Sequence, residues 1–279
     1  MESHNPLQNY LLAAMPAEEF ARLAPRLEPV SLPHGKVLYE FNEKLKYAYF
    51  PTTATASLLC TMEDGASVEV AEVGNEGVLD VSILLGGDGA LTQGIIQTAG
   101  QGYRLPAKWL IQENDQLGSL QTLLMRYTHT LISQMAQTTG CIRRHSVEQQ
   151  FCRWLLLNFD RMNSSNLAMT QELMANMLGV RRETVTEAAG RLQDAGFITY
   201  RRGQIAVLDR SGLESQACEC YGVVKQSFDR LRSDLVANRT HKHVHHDHGH
   251  DTPINEAQAS APASIIPRSV DRRRLNLYA

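Results

Sequence analysis

Two short amphipathic helical patterns meet at a single glycine between residues 169 and 196, and this segment limits the possible folds more than any other. The first pattern begins at Thr170, whose hydroxyl can cap a helix, and ends at Gly179, which tolerates the left-handed backbone of a sharp turn. The second pattern runs from about Arg181 to Ala195. Its apolar stripe is spaced by three and four residues and consists of Val185, Ala188, Ala189 and Leu192. The segment therefore predicts a helix-turn-helix.

The outer face of the second helix is polar and begins with two adjacent arginines, Arg181 and Arg182. Long polar side chains at this end of a helix can enter the major groove of DNA and contact base edges. Two alternating strands follow within residues 197–208, around a glycine-containing turn that carries Arg201 and Arg202. This pattern indicates a β-hairpin wing, whose Arg201 and Arg202 suit phosphate contacts. Sequence-specific binding of double-stranded DNA is the predicted function.

The N-terminal part has a different pattern, with short apolar segments separated by turns rich in Gly, Asn and Asp. Strands are predicted at 36–41, 48–50, 56–62, 67–73, 94–98 and 103–105. Many short strands joined by tight turns indicate a β-roll, barrel or sandwich. The predicted fold class is therefore α+β: an N-terminal β-roll, a long helix and a C-terminal winged helix-turn-helix.

The long helix is predicted between residues 109 and 140, where apolar residues recur at steps of three and four. These residues are Leu117, Leu120, Leu124, Tyr127, Leu131 and Met135. Such a stripe is typical of a seam between two copies of a chain, and a homodimer is predicted on this basis. The alternative is a helix that packs on its own β domain.

Domain boundaries follow from these patterns. We expect a β-roll at 1–108, the dimerisation helix at 109–140, the winged helix-turn-helix at 141–213, a C-terminal helix at 214–235 and a disordered His-rich tail at 236–279. Within this plan, Ser146 and Gln149 have the spacing of a helix-capping box, and Ser211 and Glu214 suggest the start of the last helix.

The order of these parts resembles the Crp/Fnr superfamily of bacterial transcription regulators. The resemblance rests on residues 170–187, 196–200 and 202–209, and its coverage is good from Leu32 to about Leu213. It implies a sensor-like β-roll similar to cyclic-nucleotide-binding domains, a dimer and RNA polymerase as a further partner. Arg182 and Glu183 match the pair with which relatives contact a guanine and a cytosine. The residues assigned to DNA binding are Thr170, Gln171, Arg181, Arg182, Glu183, Thr186, Glu187, Arg201 and Arg202.

The β-roll departs from the cyclic-AMP-binding members of that superfamily. Those members hold the cyclic phosphate with a Gly-Glu and a following Arg, whereas no Arg or Lys occurs here between Lys46 and Arg104. A cavity without a fixed cation holds a phosphodiester poorly. Cyclic AMP is therefore not the expected effector, and the sequence identifies no other. At 187 this chain has Glu where an Arg is common in those members.

The distribution of charge and the cysteines further limit the expected partners, compartment and metal sites. Residues 1–116 are acidic and residues 117–279 are basic, which suits a polyanionic partner for the second part only. No apolar run approaches the roughly 18–20 residues of a membrane span, and a cytoplasmic protein is expected. The five cysteines are expected to be reduced thiols. Cys218 and Cys220 would diverge on a helix, so neither a metal site nor a cofactor is predicted.

The sequence gives less support to two other classes of function, a metal-binding protein and an enzyme. The histidines between His241 and His250 suggest a metal-binding or metal-responsive protein that acts through its tail, although a flexible polar tail is the commoner explanation. No catalytic triad, pair of carboxylates or phosphate-binding loop points to an enzyme.

Overall fold

The computed structural model describes residues 5–85, 87, 89–112, 118–162 and 166–241. Two short helices, α1 (Tyr10–Ala13) and α2 (Ala17–Leu23), come first. The strands that follow are β1 (Glu28–Leu32), β2 (Val37–Tyr39), β3 (Tyr47–Pro51), β4 (Thr55–Thr61), β5 (Ser67–Val73), β6 (Gln93–Thr98) and β7 (Gly100–Pro106).

These strands form two antiparallel sheets, with strand orders β1-β7-β3 and β2-β6-β4-β5. The apolar side chains buried with them include Phe50, Leu58, Val73, Ile96 and Leu105. The six predicted strands correspond to β2 through β7, and the α+β class is confirmed. Strand β1 has no counterpart among the predicted strands, because it is an edge strand with a proline and a single fully buried residue.

Helix α3 (Ala107–Gln112) leads to the long helix α4 (Gly118–Arg144). Four members of its predicted dimer stripe are at most 2% exposed within one chain: Leu120, Leu124, Tyr127 and Leu131. They belong to the apolar core of the sheet domain, and Met135 is partly buried against it. The prediction that this stripe forms the dimer seam is therefore wrong for these residues. Periodicity indicates that a helix face is buried, but not which surface buries it. Leu117 lies outside the described residues.

Helix α5 (Val147–Arg161) starts with the predicted capping box, in which Ser146 and Gln149 exchange hydrogen bonds between side chain and backbone. Buried polar groups then fasten α5 to the sheet domain. Trp154 donates a hydrogen bond to Glu69 at 3.0 Å, and Arg161 pairs with Glu76 at 2.7 Å. The first helix of the C-terminal half is thus tied to strand β5 and the loop after it.

The remaining compact elements form a second apolar core. They are β8 (Asn166–Ala168), α6 (Gln171–Leu178), α7 (Arg182–Asp194), β9 (Ile198–Arg201) and β10 (Gln204–Val207). Met177, Val185, Leu192 and Ile205 are buried among them.

The C-terminal helical segment is divided in two, so the prediction of one continuous last helix is wrong. Helix α8 (Arg210–Gln216) is capped by Asp209, which accepts a hydrogen bond from Gly212 N–H at 3.0 Å, and not by Ser211. A break at 217–219 precedes α9 (Cys220–His241).

Helix α9 also continues past residue 235, where the tail is predicted to begin, because Leu231 and Leu235 anchor this end of the helix in the core of the sheet domain. The rest of the tail, 242–279, lies outside the described residues. Among the described helices, none has the length and apolar composition needed to cross a membrane.

All five cysteines are free. The expectation that Cys218 and Cys220 diverge on one helix is wrong, because Cys218 lies in the break before α9 and only Cys220 begins that helix. The two thiols therefore do not follow helical spacing, and both are buried.

Candidate nucleic-acid interface

The turn between α6 and α7 has the geometry that the sequence predicts. Thr170 Oγ1 accepts a hydrogen bond from Leu173 N–H at 3.2 Å and so caps α6. Gly179 ends the helix with φ of +64° and ψ of +35°, and its N–H bonds to the Asn176 carbonyl at 3.2 Å. A residue with a Cβ adopts this conformation only with strain. Gly179 therefore sets the angle at which α7 leaves the turn.

The α6 side of the turn lies against the sheet domain. A Cβ placed on Gly179 would be 3.1 Å from Val68 Cγ2 on β5, and Leu59 and Ile95 belong to the same apolar cluster as α6 and α7. The outer face of α7 is exposed instead. This orientation leaves the polar face of the second helix accessible.

Five of the predicted site residues lie on that exposed face: Arg181, Arg182, Glu183, Thr186 and Glu187. Arg181 occupies the N-cap position and makes no side-chain capping bond. Within the part of the chain that the structure describes, the Arg182 and Glu183 side chains have no hydrogen bond or ion pair. Because these two groups are charged, adjacent and unpaired, they are available to a ligand.

Gln171 and Thr186 connect the two helices. Thr186 Oγ1 lies 3.0 Å from Gln171 Oε1 and 2.9 Å from the Arg182 carbonyl oxygen. One hydroxyl hydrogen serves only one of these two acceptors, and rotation of the Gln171 amide would supply an N–H donor for the other contact. These two predicted residues thus stabilise the corner as well as bordering the exposed face.

Residues that the sequence does not assign to the site hold it in place. On α7, Arg191 Nε donates to Glu148 of α5 at 2.6 Å and lies 4.0 Å from Glu187 through its Nη1. Gln193 accepts a hydrogen bond from Tyr200 N–H at 2.9 Å, which joins α7 to β9. In the sequence, the only sign that Arg191 and Gln193 hold α7 in place is the spacing of polar residues along this helix.

The wing is a three-stranded sheet of order β8-β10-β9. Arg201 pairs with Gln204, which leaves a two-residue turn of Arg202 and Gly203. Their φ angles of +51° and +74° are those of a type I′ turn, the form that matches the twist of a hairpin. Both arginines are exposed, with Arg201 as the last strand residue and Arg202 in the turn. The hairpin is as predicted, but the placement of Arg201 in the turn is wrong, because Arg201 pairs with Gln204 as a strand residue. Strand β8 is an additional strand.

Comparison with known proteins identifies one similar domain and a shared fold. The sequence model of the Crp-like helix-turn-helix domain matches residues 149–216. No curated protein matches the chain. Among solved structures, a protein described as a Crp/Fnr family transcriptional regulator from Eubacterium rectale is 17% identical, with a TM-score of 0.61 over 75% of this chain and 98% of that chain.

Two further solved structures share the fold at similarly low sequence identity. FixK2 from Bradyrhizobium japonicum is 17% identical, with a TM-score of 0.58 over 69% of this chain and 98% of that chain. A Crp/Fnr family transcriptional regulator from Thermus thermophilus is 20% identical, with a TM-score of 0.54 over 68% of this chain and 98% of that chain.

At these identities the solved structures establish a shared fold, and the domain match covers α5, the corner of α6 and α7, the wing and α8. The resemblance carried by 170–187, 196–200 and 202–209 is confirmed. The chain is therefore a protein of the Crp/Fnr regulator fold, with a Crp-like helix-turn-helix domain at residues 149–216.

Proposed function

We propose that this protein is a transcription regulator that binds double-stranded DNA sequence-specifically through α7. The observation that carries the proposal is the exposed Arg182 and Glu183 pair at the N-terminal end of α7, beside a wing with two exposed arginines. A guanidinium can donate two parallel hydrogen bonds to guanine, and a carboxylate can accept one from the cytosine amino group. Arg182 therefore contacts a guanine and Glu183 a cytosine.

The wing contributes affinity and register. Arg201 and Arg202 are exposed and bind backbone phosphates, contacts that position a protein without reading sequence. Thr170, Gln171 and Arg181 border the entry of α7 and take part in the same backbone contacts. Thr186 and Glu187, one turn further along α7, face the groove beside Arg182.

The protein acts as a homodimer, through a face of α4 different from the buried apolar stripe. The free face repeats at steps of three and four residues: Thr122, Met125, His129, Ile132, Ala136 and Thr139. Met125 and Ile132 are 55% and 57% exposed in a single chain. Large aliphatic side chains in the spacing of a coiled-coil seam support pairing with a second copy.

A two-fold dimer carries two copies of α7, so its operator is an inverted repeat. Half-site centres are expected about 10 base pairs apart, or a small multiple of that distance. RNA polymerase is the further partner that a regulator of this type implies. The protein, its operator DNA and RNA polymerase meet in the cytoplasm.

The packing of the β-roll supports the expectation that cyclic AMP is not the effector. Tyr127 and Tyr39 are at most 3% exposed, and their rings would lie 2.4 Å from a Cβ added at Gly77 and Gly94 respectively. These rings occupy space inside the β-roll beside Gly77 and Gly94. Together with the missing cation, this packing disfavours a bound phosphodiester.

The alternative of metal binding through the His-rich tail involves His241, the last residue of α9, and five histidines beyond it that lie outside the described ranges. DNA binding is independent of that tail in our proposal. A full-length protein and a variant with the tail histidines replaced should therefore select the same DNA sequences.

The test is selection of bound fragments from a random duplex library by the purified full-length protein, followed by affinity measurements on the selected operator. Arg182→Ala should cost about 1–3 kcal/mol, or roughly 5- to 150-fold in affinity, and should relax preference at one base position. Arg230→Ala is the matched control, because Arg230 is an exposed arginine on α9 outside the corner and wing. Unchanged affinity and unchanged sequence preference in Arg182→Ala would refute the assignment of α7.

A further inference from the structure

Four side chains with metal-binding atoms meet where α4 ends and α9 begins. Cys141 and His145 lie four residues apart at the end of α4, and Cys218 and Cys220 lie in the break before α9 and at its first residue. The donor atoms of all four lie within 4.8 Å of one another. The two segments are more than seventy residues apart in sequence, since the contact between Cys141 and Cys218 spans 77 residues.

The distances in this cluster suit a tetrahedral metal ion. Cys141 Sγ lies 3.5 Å from Cys218 Sγ, and Cys220 Sγ lies 3.5 Å from His145 Nδ1. With Zn–S near 2.3 Å and Zn–N near 2.0 Å, the ligand atoms of a tetrahedral zinc site are about 3.5–3.8 Å apart. Shifts of about 1 Å or less would bring all four ligands to one ion.

The surroundings of the cluster also resemble those of a metal site. His145 Nε2 lies 3.3 Å from a Glu219 carboxylate oxygen, which directs Nδ1 toward the cysteines. Gln137 Nε2 donates a hydrogen bond to Cys220 Sγ at 3.1 Å, a contact that stabilises a thiolate. The three cysteines are at most 4% exposed, whereas the His145 side chain is 18% exposed and leaves an approach from solvent.

We propose that Cys141, His145, Cys218 and Cys220 bind one divalent metal ion of the thiolate-preferring class to which Zn²⁺ belongs. Three thiolates and one imidazole are a ligand set of structural zinc sites and disfavour Ca²⁺ and Mg²⁺, which take oxygen ligands. A disulfide would use only two of these residues and would need its sulfur atoms about 2.05 Å apart, far closer than 3.5 Å. Core packing of small thiols does not account for the imidazole that contacts Cys220 or for the carboxylate on the other side of that imidazole.

A metal ion at this position would cross-link the two ends of the DNA-binding segment, since Cys141 and His145 precede α5 and Cys218 and Cys220 follow α8. The ion would fix the junction between α4 and α5 as well as the break before α9. Its loss would therefore loosen the pose of α7 relative to α4. This consequence rests on the proposed function, whereas the metal site does not.

The test uses Co²⁺ as a spectroscopic probe on the full-length, reduced and metal-free protein. One equivalent should give sulfur-to-cobalt charge-transfer absorption with the intense ligand-field bands of a tetrahedral site, and Zn²⁺ should displace it. Residues 242–279 contain no cysteine, so Co²⁺ bound to the tail histidines cannot produce the thiolate absorption.

Variants identify the ligands. Cys218→Ser should abolish the tetrahedral thiolate spectrum or reduce its intensity several-fold, and His145→Ala should shift the ligand-field bands while charge-transfer absorption remains. Cys60→Ser is the matched control, because Cys60 lies on β4 outside the cluster, and it should leave the spectrum unchanged. Circular dichroism verifies that each variant is folded.

Absence of thiolate absorption in the folded wild-type protein would overturn the proposal, as would the same spectrum in wild type and Cys218→Ser. Zinc removal should in addition change the affinity of the wild type for its operator. A protein that binds no DNA in either state but gives the cobalt spectrum would refute the proposed function and retain the metal site.

Discussion

Replacement of Gly179 by alanine tests the turn on which the pose of α7 depends. Gly179 has φ of +64°, and a residue with a Cβ in this left-handed conformation raises the free energy of the folded state by about 1–2 kcal/mol. The added methyl would also lie 3.1 Å from Val68 Cγ2, so β5 must give way by a few tenths of an ångström. Gly179→Ala should therefore destabilise the protein by about 1–2 kcal/mol or slightly more, a fall in Tm of roughly 2–8 °C for a chain of this size.

Gly190→Ala is the matched control with the opposite sign. Gly190 lies inside α7, and a Cβ there meets no atom within 4 Å. Alanine in a helix interior is favoured over glycine by about 0.5–1 kcal/mol, so the Tm should rise by roughly 1–4 °C. Both variants are measured by thermal and urea unfolding followed by circular dichroism. If Gly179→Ala were as stable as the wild type while Gly190→Ala showed its gain, the left-handed turn would be refuted.

Three further outcomes are expected. Arg201→Ala should weaken binding to all duplexes alike and reduce the salt dependence of the affinity, which titrations at several salt concentrations would measure. A loss of preference at one base position only would contradict the phosphate role of Arg201. Ile132→Glu should convert the dimer to a monomer in sedimentation analysis. The control Gln121→Glu changes an exposed residue of α4 outside the proposed dimer seam and should leave the dimer intact. A monomeric wild type would contradict the proposed seam. Burial raises the pKa of Glu72 to about 8, against the attraction of Arg161 and with repulsion from Glu69 and Glu76. Because the folded protein retains this proton above pH 4.5, stability should fall as pH rises from about 5 to 8, and Glu72→Gln should flatten that slope in urea unfolding.

Local features of this chain are predictable from sequence because they depend on neighbouring residues. The cap at Thr170, the left-handed Gly179 and the Arg202-Gly203 turn each need only a few adjacent side chains or backbone angles. The same holds for most strands of the β-roll, whose alternation and turn residues are visible in the sequence. These features fix the corner, the exposed face of α7 and the wing.

Features that depend on distant contacts are not predictable in this way. The apolar stripe of α4 indicates burial, and only the folded chain shows that Tyr127 packs against the backbone at Gly77. The cysteine cluster needs α9 to return alongside α4, and its ligand spacing depends on a helix break at 217–219.

The return of α9 to the sheet domain has a mechanical consequence. Arg126 on α4 pairs with Asp234 on α9 at 3.8 Å, and Leu231 and Leu235 enter the same core as Leu131. The segment from 146 to 217 is thus attached to the rest of the chain at both its beginning and its end. Between these two ends, α5 and α6 also contact β5, through Trp154 with Glu69 and through Gly179 beside Val68. Rotation of the segment about the line that joins its ends would therefore have to break these contacts first.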